Sequence, residues 1–307
     1  MSKKILSICI PTYNRAECLK DCLNSIFYQL KNEQVLEKIE VVISDNASTD
    51  NTTEIVKSFQ KQFNNILYFK NEKNLGFDRN LAKTVRESGG KYCLTIGDDD
   101  AFFDDVILFI IKRLETESIP FYGLNGWGYD NNLKETVLPH PNLNIQEDQK
   151  YEKLSDFVKS IKKYEDIVGI FTGMSTQLFL REKWADYKNK DEYLDTQVAH
   201  MFILLTIFKD LPYTQIAKPI IKTRSSNVRW VTMTGLETAQ RRVVGTVSGL
   251  KWIRGKFDLP ISNTKINVYF YVREYWFTFK EIIKRTLEIT GFSYFIIYYR
   301  KIRNMLH

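Results

Sequence analysis

The chain has 307 residues, of which 44% are hydrophobic and 14% aromatic, so it is long enough to bury a large core. It contains no window of 18 consecutive apolar residues, and the sequence therefore predicts no membrane-spanning helix. The formal net charge of +7 is uneven, with −5 over residues 1–217 and +12 over residues 218–307. Such asymmetry is typical of a protein whose basic end meets a polyanion or an anionic surface.

The four cysteines, Cys9, Cys18, Cys22 and Cys93, form no Cys-x-x-Cys pair and have no histidine nearby in the sequence. A structural zinc site would need such spacing, so we expect reduced, buried thiols in a cytosolic protein. The first residues, MSKKILSICIP, hold only a few apolar side chains before Pro11, which predicts a first strand and not a signal peptide.

The first third of the chain alternates strand and helix patterns. Short apolar runs predict the strands, and apolar side chains three and four residues apart predict the helices. In chain order the predicted elements are strand 6–12, helix 15–30, strand 39–44, helix 51–63, strand 66–70, helix 78–88, strand 92–97 and helix 104–117. This alternation predicts an α/β fold with a mostly parallel sheet flanked by helices.

The pattern is less regular in the middle of the chain. Segment 122–132 holds three glycines and is expected to be a loop, and KETVLPHPN after it suggests one short strand and a turn. Further predicted elements are helices at 152–164 and 195–209, strands at 175–180 and 219–223, and long helices from residue 234 onward. We therefore expect one α/β domain over 1–220 and a basic, aromatic-rich helical region over 221–307.

A polar cluster follows each of the first four predicted strands. The clusters are Thr12 to Arg15, Asp45 to Asp50, Asn74 to Asn80, and Asp98 to Asp100. In an open parallel sheet, ligands bind beyond the carboxyl ends of the strands, so these clusters are expected to meet at one site.

The three aspartates 98–100 directly follow an apolar strand. Two carboxylates about 4 Å apart repel each other by roughly 4 kcal/mol at an effective dielectric constant near 20. A hard divalent cation would offset that repulsion and could also neutralise substrate phosphates. The chain contains neither G-x-G-x-x-G nor G-x-x-x-x-G-K-[ST], so a metal is favoured over a glycine-rich phosphate loop.

The motifs SICIPTYNR, VVISDNASTDNT, NLGFDRN and LTIGDDD occur in this order. Over residues 4–110 the chain resembles family 2 glycosyltransferases of the GT-A fold, which has a Rossmann-like sheet. The middle region is similar to transferases that build bacterial surface polysaccharides, of the abequosyltransferase type. The resemblance implies an inverting, metal-dependent transfer of one hexosyl or related sugar from a nucleotide-diphosphate sugar, with UDP as the expected carrier.

The resemblance further implies a glycan or lipid-linked glycan acceptor and a role in bacterial O-antigen or capsule assembly. The expected reduced thiols predict a cytoplasmic location, and the basic, aromatic-rich end of the chain leaves open a peripheral position on the inner face of the cytoplasmic membrane. A non-catalytic nucleotide-sugar or glycan-binding module is the alternative function. A nucleotidyltransferase is a further alternative, although its glycine-rich signature is missing from this sequence.

Individual residues match the motifs of the family. Thr12, Tyr13 and Arg15 match the segment that lies against the nucleoside, and Asp45 matches the aspartate that reads the edge of the base. Arg79 matches a basic residue beside the nucleotide. Asp98 matches a group near the ribose, and the ligands of Mn²⁺ or Mg²⁺ are matched by Asp98, Asp99 and Asp100. The register leaves all three aspartates open as ligands, because Gly97 aligns with the first position of the usual Asp-x-Asp-Asp. Structural alternatives are a helix N-cap for the aspartates, an Asx turn for Asp45 and a solvated helix face for Arg79.

An inverting displacement needs a base that takes the proton of the acceptor hydroxyl. The resemblance places an acidic residue at the start of a helix after the acceptor-side strand. Asp195 is the first candidate, with Glu192 and Asp191 as alternatives, and simple N-capping by Asp195 is equally open. His200 lies in an otherwise apolar helical stretch and is either a core residue or a group near the diphosphate or metal.

Residues 264–307 carry twelve aromatic side chains and a net charge of +5. A helical region of this kind either packs on the domain or in a homodimer, or lies on an anionic membrane surface with its basic residues toward the head groups. No nucleic-acid-binding motif occurs, so a nucleic-acid partner is not expected.

Overall fold

The computed structural model describes residues 4–30, 33–161, 167, 170–224 and 251–259. The chain divides into two compact units, Met1–Gly249 and Leu250–His307. All elements named below belong to the first unit, and residues 251–257 of the second unit are helical. The expected roles of residues 264–307 lie outside the described residues, and the boundary at 220 stays a prediction.

The described elements follow the predicted alternation. In chain order they are β1 (Leu6–Thr12), α1 (Ala16–Phe27), α2 (Glu33–Lys38), β2 (Ile39–Asp45), α3 (Thr52–Gln60), β3 (Ile66–Lys70), α4 (Phe77–Arg86), β4 (Tyr92–Thr95), β5 (Ala101–Phe102), α5 (Val106–Thr116), β6 (Phe121–Tyr129), β7 (Gln149–Tyr151), α6 (Leu154–Ser160), β8 (Gln177–Leu180), α7 (Arg181–Asp186), α8 (Ala199–Phe208) and β9 (Tyr213–Arg224). Short 3₁₀ turns lie at Met174–Thr176 and Asn189–Tyr193.

The strands form one mixed sheet in the order β3-β2-β1-β4-β8-β6-β9-β5, and β7 pairs with β9. The first four are parallel to one another, whereas β8 is antiparallel to both β4 and β6. All seven residues of β1 and of β2 are buried, as expected for parallel strands covered on both faces. The predicted mixed α/β class, with a mostly parallel sheet and flanking helices, is confirmed.

The register of β1 and β2 pairs Thr12 with Asp45. Both strands therefore end at the same level, and the polar residues that follow them begin at the same edge of the sheet. The backbone N–H of Asn46 donates to the Thr12 carbonyl at 2.9 Å and extends this pairing by one residue.

The predicted loop at 122–132 was wrong, because β6 runs through most of it. Its glycines mark close packing and not a turn. A Cβ at Gly123 would lie 1.9 Å from Tyr213 Oη and 2.4 Å from Gln215 Oε1, both on the neighbouring strand β9. The short strand expected in KETVLPHPN is only an isolated bridge between Tyr129 and Thr136.

The helix predicted over 195–209 begins four residues later, at Ala199. Asp195 and Gln197 have φ angles of 73° and 64°, so the backbone before Ala199 is in the left-handed region and cannot continue a right-handed helix. Asp195 therefore lies in a turn ahead of α8. The pattern also missed α2, a six-residue helix that leads directly into β2.

The cysteines and the helix lengths can be compared with the expectations drawn from composition. Cys9, Cys18, Cys22 and Cys93 are all free thiols, and Cys18 alone among them is partly exposed. Among the residues that the structure describes, none of the helices combines the length and the apolar character needed to cross a bilayer.

Candidate active site

The ends of β1 and β4 meet through a network centred on Asp98. Thr12 Oγ1 donates to Asp98 Oδ2 at 2.7 Å. The Arg15 guanidinium donates from Nη1 to Asp98 Oδ1 at 3.2 Å and to Asp99 Oδ2 at 2.8 Å. The predicted nucleotide segment and the first two predicted metal ligands are thus in direct contact.

Asp100 is held by two residues that sequence reasoning missed. The Ser175 hydroxyl, from the 3₁₀ turn before β8, donates to Asp100 Oδ2. The backbone N–H of Arg224, at the end of β9, donates to Asp100 Oδ1 at 3.0 Å, and its Nε donates to the Asp99 carbonyl at 2.8 Å. Neither residue belongs to a motif, and both reach the aspartates only because β8 and β9 join the sheet.

Burial and mutual repulsion act on the protonation of the aspartates. Burial raises the pKa of Asp98 to about 6, against the lowering effect of Arg15, and Asp99 raises it further. Burial and the Asp99 carboxylate raise the pKa of Asp100 to about 7, against the hydrogen bond from Ser175. Both carboxyl groups therefore hold a proton more readily than a free aspartate, and a cation bound there would have to displace it.

Gly97 leaves the space that the aspartate cluster needs. A Cβ at this position would lie 2.8 Å from Asp99 Oδ1 and 3.4 Å from Ser175 Oγ. The Gly97 N–H in turn donates to Ser175 Oγ at 2.9 Å. Glycine thus stands where the usual motif has an aspartate because the side chains of its neighbours fill that volume.

Asp45 ends β2 and is fully buried. Its Oδ1 accepts the Ser48 N–H at 2.8 Å, and its Oδ2 accepts the Tyr68 hydroxyl at 2.6 Å. A base edge would reach this carboxylate only if one of these contacts moved, so its role in reading the base stays a prediction. Tyr13, at the end of β1, is exposed and accessible to a ligand.

The start of α4 is anchored to the edge of the sheet by Asn80. Its Oδ1 accepts the Ser44 hydroxyl at 2.8 Å, and its Nδ2 donates to the Ser44 carbonyl at 2.8 Å. The preceding residue, Arg79, forms an ion pair with Asp195. The structure therefore brings a predicted nucleotide residue against the first candidate for the base.

The other base candidates lie in the 3₁₀ turn Asn189–Tyr193 and are exposed. The carboxylate of Asp191, together with the larger effect of Asp195, raises the pKa of Arg79. Burial raises the pKa of Tyr187, and the nearby Glu192 carboxylate is one of the smaller contributors to that shift. The carboxylates of Asp195 and Asp191 are thus both close enough to Arg79 to stabilise its positive charge.

His200 occupies the first turn of α8 and is buried. Its Nε2 lies 3.1 Å from the Thr172 carbonyl, and its ring meets Phe77 edge-on with 6.2 Å between the ring centroids. These contacts fit the core-residue alternative, and the metal role stays a prediction. Across the described part of the chain, no group of three or more His, Cys, Asp or Glu side chains is already arranged to hold a metal ion.

The mixed α/β sheet, whose parallel strands end on the aspartate cluster around the buried Asp98, has the arrangement expected of a GT-A glycosyltransferase. The family described as Glycosyl transferase family 2 matches residues 7–181, and the chain belongs to that family. The protein is a glycosyltransferase, and the resemblance seen in the motifs is confirmed.

Individual relatives agree with this assignment. The chain is 33% identical to abequosyltransferase RfbV of Salmonella typhimurium over 231 residues, which are 73% of this chain and 67% of that protein. The structure of S. aureus TarS 1–349 in complex with UDP-GlcNAc is 13% identical, with a TM-score of 0.58 over 85% of this chain and 69% of that chain. Mannosyltransferase PcManGT from Pyrobaculum calidifontis, in complex with GDP-Man and Mn²⁺, is 15% identical, with a TM-score of 0.51 over 83% of this chain and 65% of that chain.

Proposed function

We propose that the protein is an inverting, metal-dependent glycosyltransferase that moves one sugar from a nucleotide-diphosphate sugar to a hydroxyl of a glycan acceptor. The observation that carries the proposal is the Arg15 guanidinium, which contacts Asp98 and Asp99 while Thr12 donates to Asp98. The segment assigned to the nucleoside and the segment assigned to the metal and diphosphate thus form one polar surface.

The donor is proposed to be a UDP-sugar, with a GDP-sugar as the next choice. The TarS complex with UDP-GlcNAc and the mannosyltransferase complex with GDP-Man support this order. The exposed ring of Tyr13 offers an aromatic face for the nucleobase at the end of β1. Arg79, whose side chain is 43% exposed, would bind a diphosphate by leaving or sharing its ion pair with Asp195.

Asp98, Asp99 and Asp100 would hold Mn²⁺ or Mg²⁺, which would supply positive charge beside the leaving diphosphate. The donor set fits such an ion in chemistry, because carboxylate oxygens are hard ligands. Burial raises the pKa of Asp98 and Asp100, so the ion would compete with protons for these oxygens. The Mn²⁺ of the mannosyltransferase complex supports the same choice.

In the proposed reaction the acceptor oxygen attacks the anomeric carbon from the face opposite the diphosphate. The new C–O bond forms as the bond to the diphosphate breaks, and the bonding pair leaves with the diphosphate. Asp195 takes the hydroxyl proton, with Asp191 and Glu192 as the alternatives. Because the new bond forms on the opposite face, the anomeric configuration inverts.

The acceptor is proposed to be a glycan or lipid-linked glycan in bacterial O-antigen or capsule assembly. The similarity to a bacterial abequosyltransferase supports this class. A cytoplasmic location is proposed from the expected reduced thiols, whereas contact with the inner face of the membrane or homodimer formation is proposed from the composition of residues 264–307.

The test is thermal unfolding with UDP, GDP, CDP and TDP, each with Mn²⁺ or EDTA, followed by assays of diphosphate release from the matching sugar donors. A ligand at a hundredfold excess over its dissociation constant adds about 2.7 kcal/mol to the free energy of unfolding. That gain should raise the midpoint by roughly 5 °C in a domain of this size. Asp98→Asn is the site variant, and Asp156→Asn, at an exposed position in the first turn of α6, is the matched control.

A metal-dependent shift with one nucleotide, present in the control and lost in Asp98→Asn, is the expected result. Folded protein that shifts with none of the nucleotides would contradict the donor site. Binding without diphosphate release from any donor would favour a non-catalytic module instead. Release of pyrophosphate would indicate a nucleotidyltransferase.

A further inference from the structure

Asp78 is a buried carboxylate at the start of α4, with 4% of its surface exposed. Its Oδ2 accepts the backbone N–H of Gln197 at 2.7 Å, and its Oδ1 accepts the backbone N–H of Ala199 at 3.2 Å. In the sequence, Gln197 and Ala199 lie 119 and 121 positions after Asp78. Asp78 therefore joins the first turn of α4 to the turn that carries Asp195.

The amides that Asp78 binds include the first amide of α8. The residue before this helix, Val198, is apolar and provides no side-chain cap. The first N–H groups of a helix have no acceptor within the helix, so the N–H of Ala199 depends on the Asp78 carboxylate of α4 for its hydrogen bond. An acid on one helix thus supplies the N-terminal capping acceptor of another.

The backbone on both sides of residue 196 is in an unfavourable conformation. Asp195 and Gln197 both have left-handed φ angles, which side chains with a Cβ adopt only when surrounding contacts enforce them. Hydrogen bonds to Gln197 and Ala199 are contacts of that kind. The N–H of Asp195 also acts on the Asp78 carboxylate and lowers its pKa, against the larger effect of burial.

Arg79 follows Asp78 in the chain and forms the ion pair with Asp195. Two consecutive residues of α4 therefore hold the same turn in different ways. Asp78 binds its backbone amides, whereas Arg79 binds the carboxylate that the turn presents.

We propose that Asp78 is a positioning residue, which fixes the turn at residues 195–199 so that the Asp195 carboxylate is presented at the edge of the sheet beside Arg79. The proposal rests on the proposed function only in giving Asp195 the role of the base. A reacting group that is displaced by about 1 Å can lose on the order of a hundredfold in rate, so a fixed turn matters for transfer.

The test compares Asp78→Asn, which keeps one acceptor oxygen, with Asp78→Ala, which keeps none. Asp156→Asn and Asp156→Ala carry the same chemical changes on an exposed helix start. Amide hydrogen exchange over residues 195–199 is measured in the full-length protein. We expect exchange at Gln197 and Ala199 to rise about tenfold in Asp78→Asn and further in Asp78→Ala, because each lost hydrogen bond leaves an amide open. The Asp156 variants should leave it unchanged.

The second readout is the kinetics of transfer. We expect kcat to fall about tenfold in Asp78→Asn and about a hundredfold in Asp78→Ala, with the KM for the donor within threefold of the unmodified protein. A purely structural role would lower the amount of folded enzyme and leave the kcat of the folded fraction unchanged, so kcat is referred to the folded fraction measured by circular dichroism.

The outcomes separate this proposal from the proposed function. Unchanged exchange at residues 195–199 in both Asp78 variants would overturn the positioning role, whether or not the protein transfers sugar. Faster exchange with full kcat would overturn its link to catalysis. If the unmodified protein transferred no sugar at all, the proposed function would fail, and the exchange experiment would still decide whether Asp78 holds the turn.

Discussion

Arg79 and Asp195 lie 116 positions apart in the chain and form an ion pair between the start of α4 and the turn before α8. Both side chains are largely open to solvent, at 43% and 63% exposure, and such pairs contribute only about 0–1 kcal/mol to stability. The contact therefore matters less for folding than for what it brings together. It joins the residue assigned to the nucleotide with the residue assigned to the base.

The first prediction separates these two effects. Arg79→Gln and Asp195→Asn should each change the free energy of unfolding by less than about 1 kcal/mol, because the pair is solvated. Each should lower kcat/KM for transfer by about a hundredfold or more, through donor binding in one case and proton removal in the other. Urea unfolding and steady-state kinetics measure the two quantities.

Arg86→Gln is the matched control for this experiment. Arg86 ends the same helix and pairs with Glu87 in an exposed ion pair. Its removal should leave both stability and transfer unchanged. Full transfer activity in Asp195→Asn would instead move the base assignment to Asp191 or Glu192.

The second prediction concerns the Arg15 guanidinium, which contacts both Asp98 and Asp99. Arg15 is only 19% exposed, and Arg15→Gln leaves the buried Asp98 and the partly buried Asp99 without their charged partner. Removing one member of a buried pair costs about 3–5 kcal/mol, and a value near the lower end is expected because Thr12 still donates to Asp98. If the aspartates bind a divalent cation, Mn²⁺ should stabilise Arg15→Gln more than it stabilises the unmodified protein.

Arg113→Gln controls for the loss of a partly buried guanidinium. Arg113 is also 19% exposed and pairs with Asp148 and Glu117. We expect a comparable loss of stability without recovery on addition of Mn²⁺. Equal recovery in both variants, measured as the shift in unfolding midpoint, would mean that Mn²⁺ acts elsewhere on the protein.

The sequence could predict the part of this site that depends on short local patterns, namely apolar strands followed by polar residues. β1, β2 and β4 are mostly apolar, and polar residues follow each of them, so their common edge followed from the parallel arrangement. The contact of Arg15 with Asp98 and Asp99 is a direct outcome of that arrangement.

What could not be predicted depends on strand pairing over long distances. Ser175 and Arg224 reach Asp100 only through the positions of β8 and β9 in the sheet. β6 was mistaken for a loop because its glycines make room for β9, and a sequence does not distinguish that use of glycine from a turn. Asp78 opens the helix predicted over 78–88, and its hydrogen-bond partners lie more than a hundred positions away, so the sequence does not indicate its contact with the turn before α8.

The third prediction tests the space beside the aspartates. Gly97→Ala would bring a Cβ within 2.8 Å of Asp99 Oδ1 and displace that carboxylate. Transfer should fall about tenfold or more, while the free energy of unfolding should drop by only about 1–2 kcal/mol, because one side chain can shift. Kinetics and urea unfolding report the two changes.

Gly255→Ala is the matched substitution, since a Cβ there meets nothing within 4 Å. Gly255 lies in the helical segment 251–257, where alanine is the better helix former, so stability should be equal or slightly higher. Activity should not change. Full activity in Gly97→Ala would show that the arrangement of Asp99 is not needed for transfer.

The last prediction is the pH dependence of stability that Asp78 introduces. Burial raises the pKa of Asp78 from 3.8 to about 6 in the folded protein, with Asp195 adding to the effect and the amides of Gln197 and Ala199 opposing it. A carboxyl group whose pKa is higher in the folded state binds its proton more tightly there. Its contribution to stability is therefore fully present below pH 4 and is lost as the pH rises through about 6.

Asp78→Asn removes this titration and leaves the other groups in place. The difference in free energy of unfolding between the unmodified protein and Asp78→Asn should therefore shift against the unmodified protein by about 1 kcal/mol between pH 5 and pH 7. Urea unfolding of both proteins at half-unit pH steps measures this difference, and Asp156→Asn should show a flat difference over the same range. A flat difference for Asp78→Asn as well would mean that solvent reaches Asp78 and that its carboxylate is not held in the buried contact with Gln197 and Ala199.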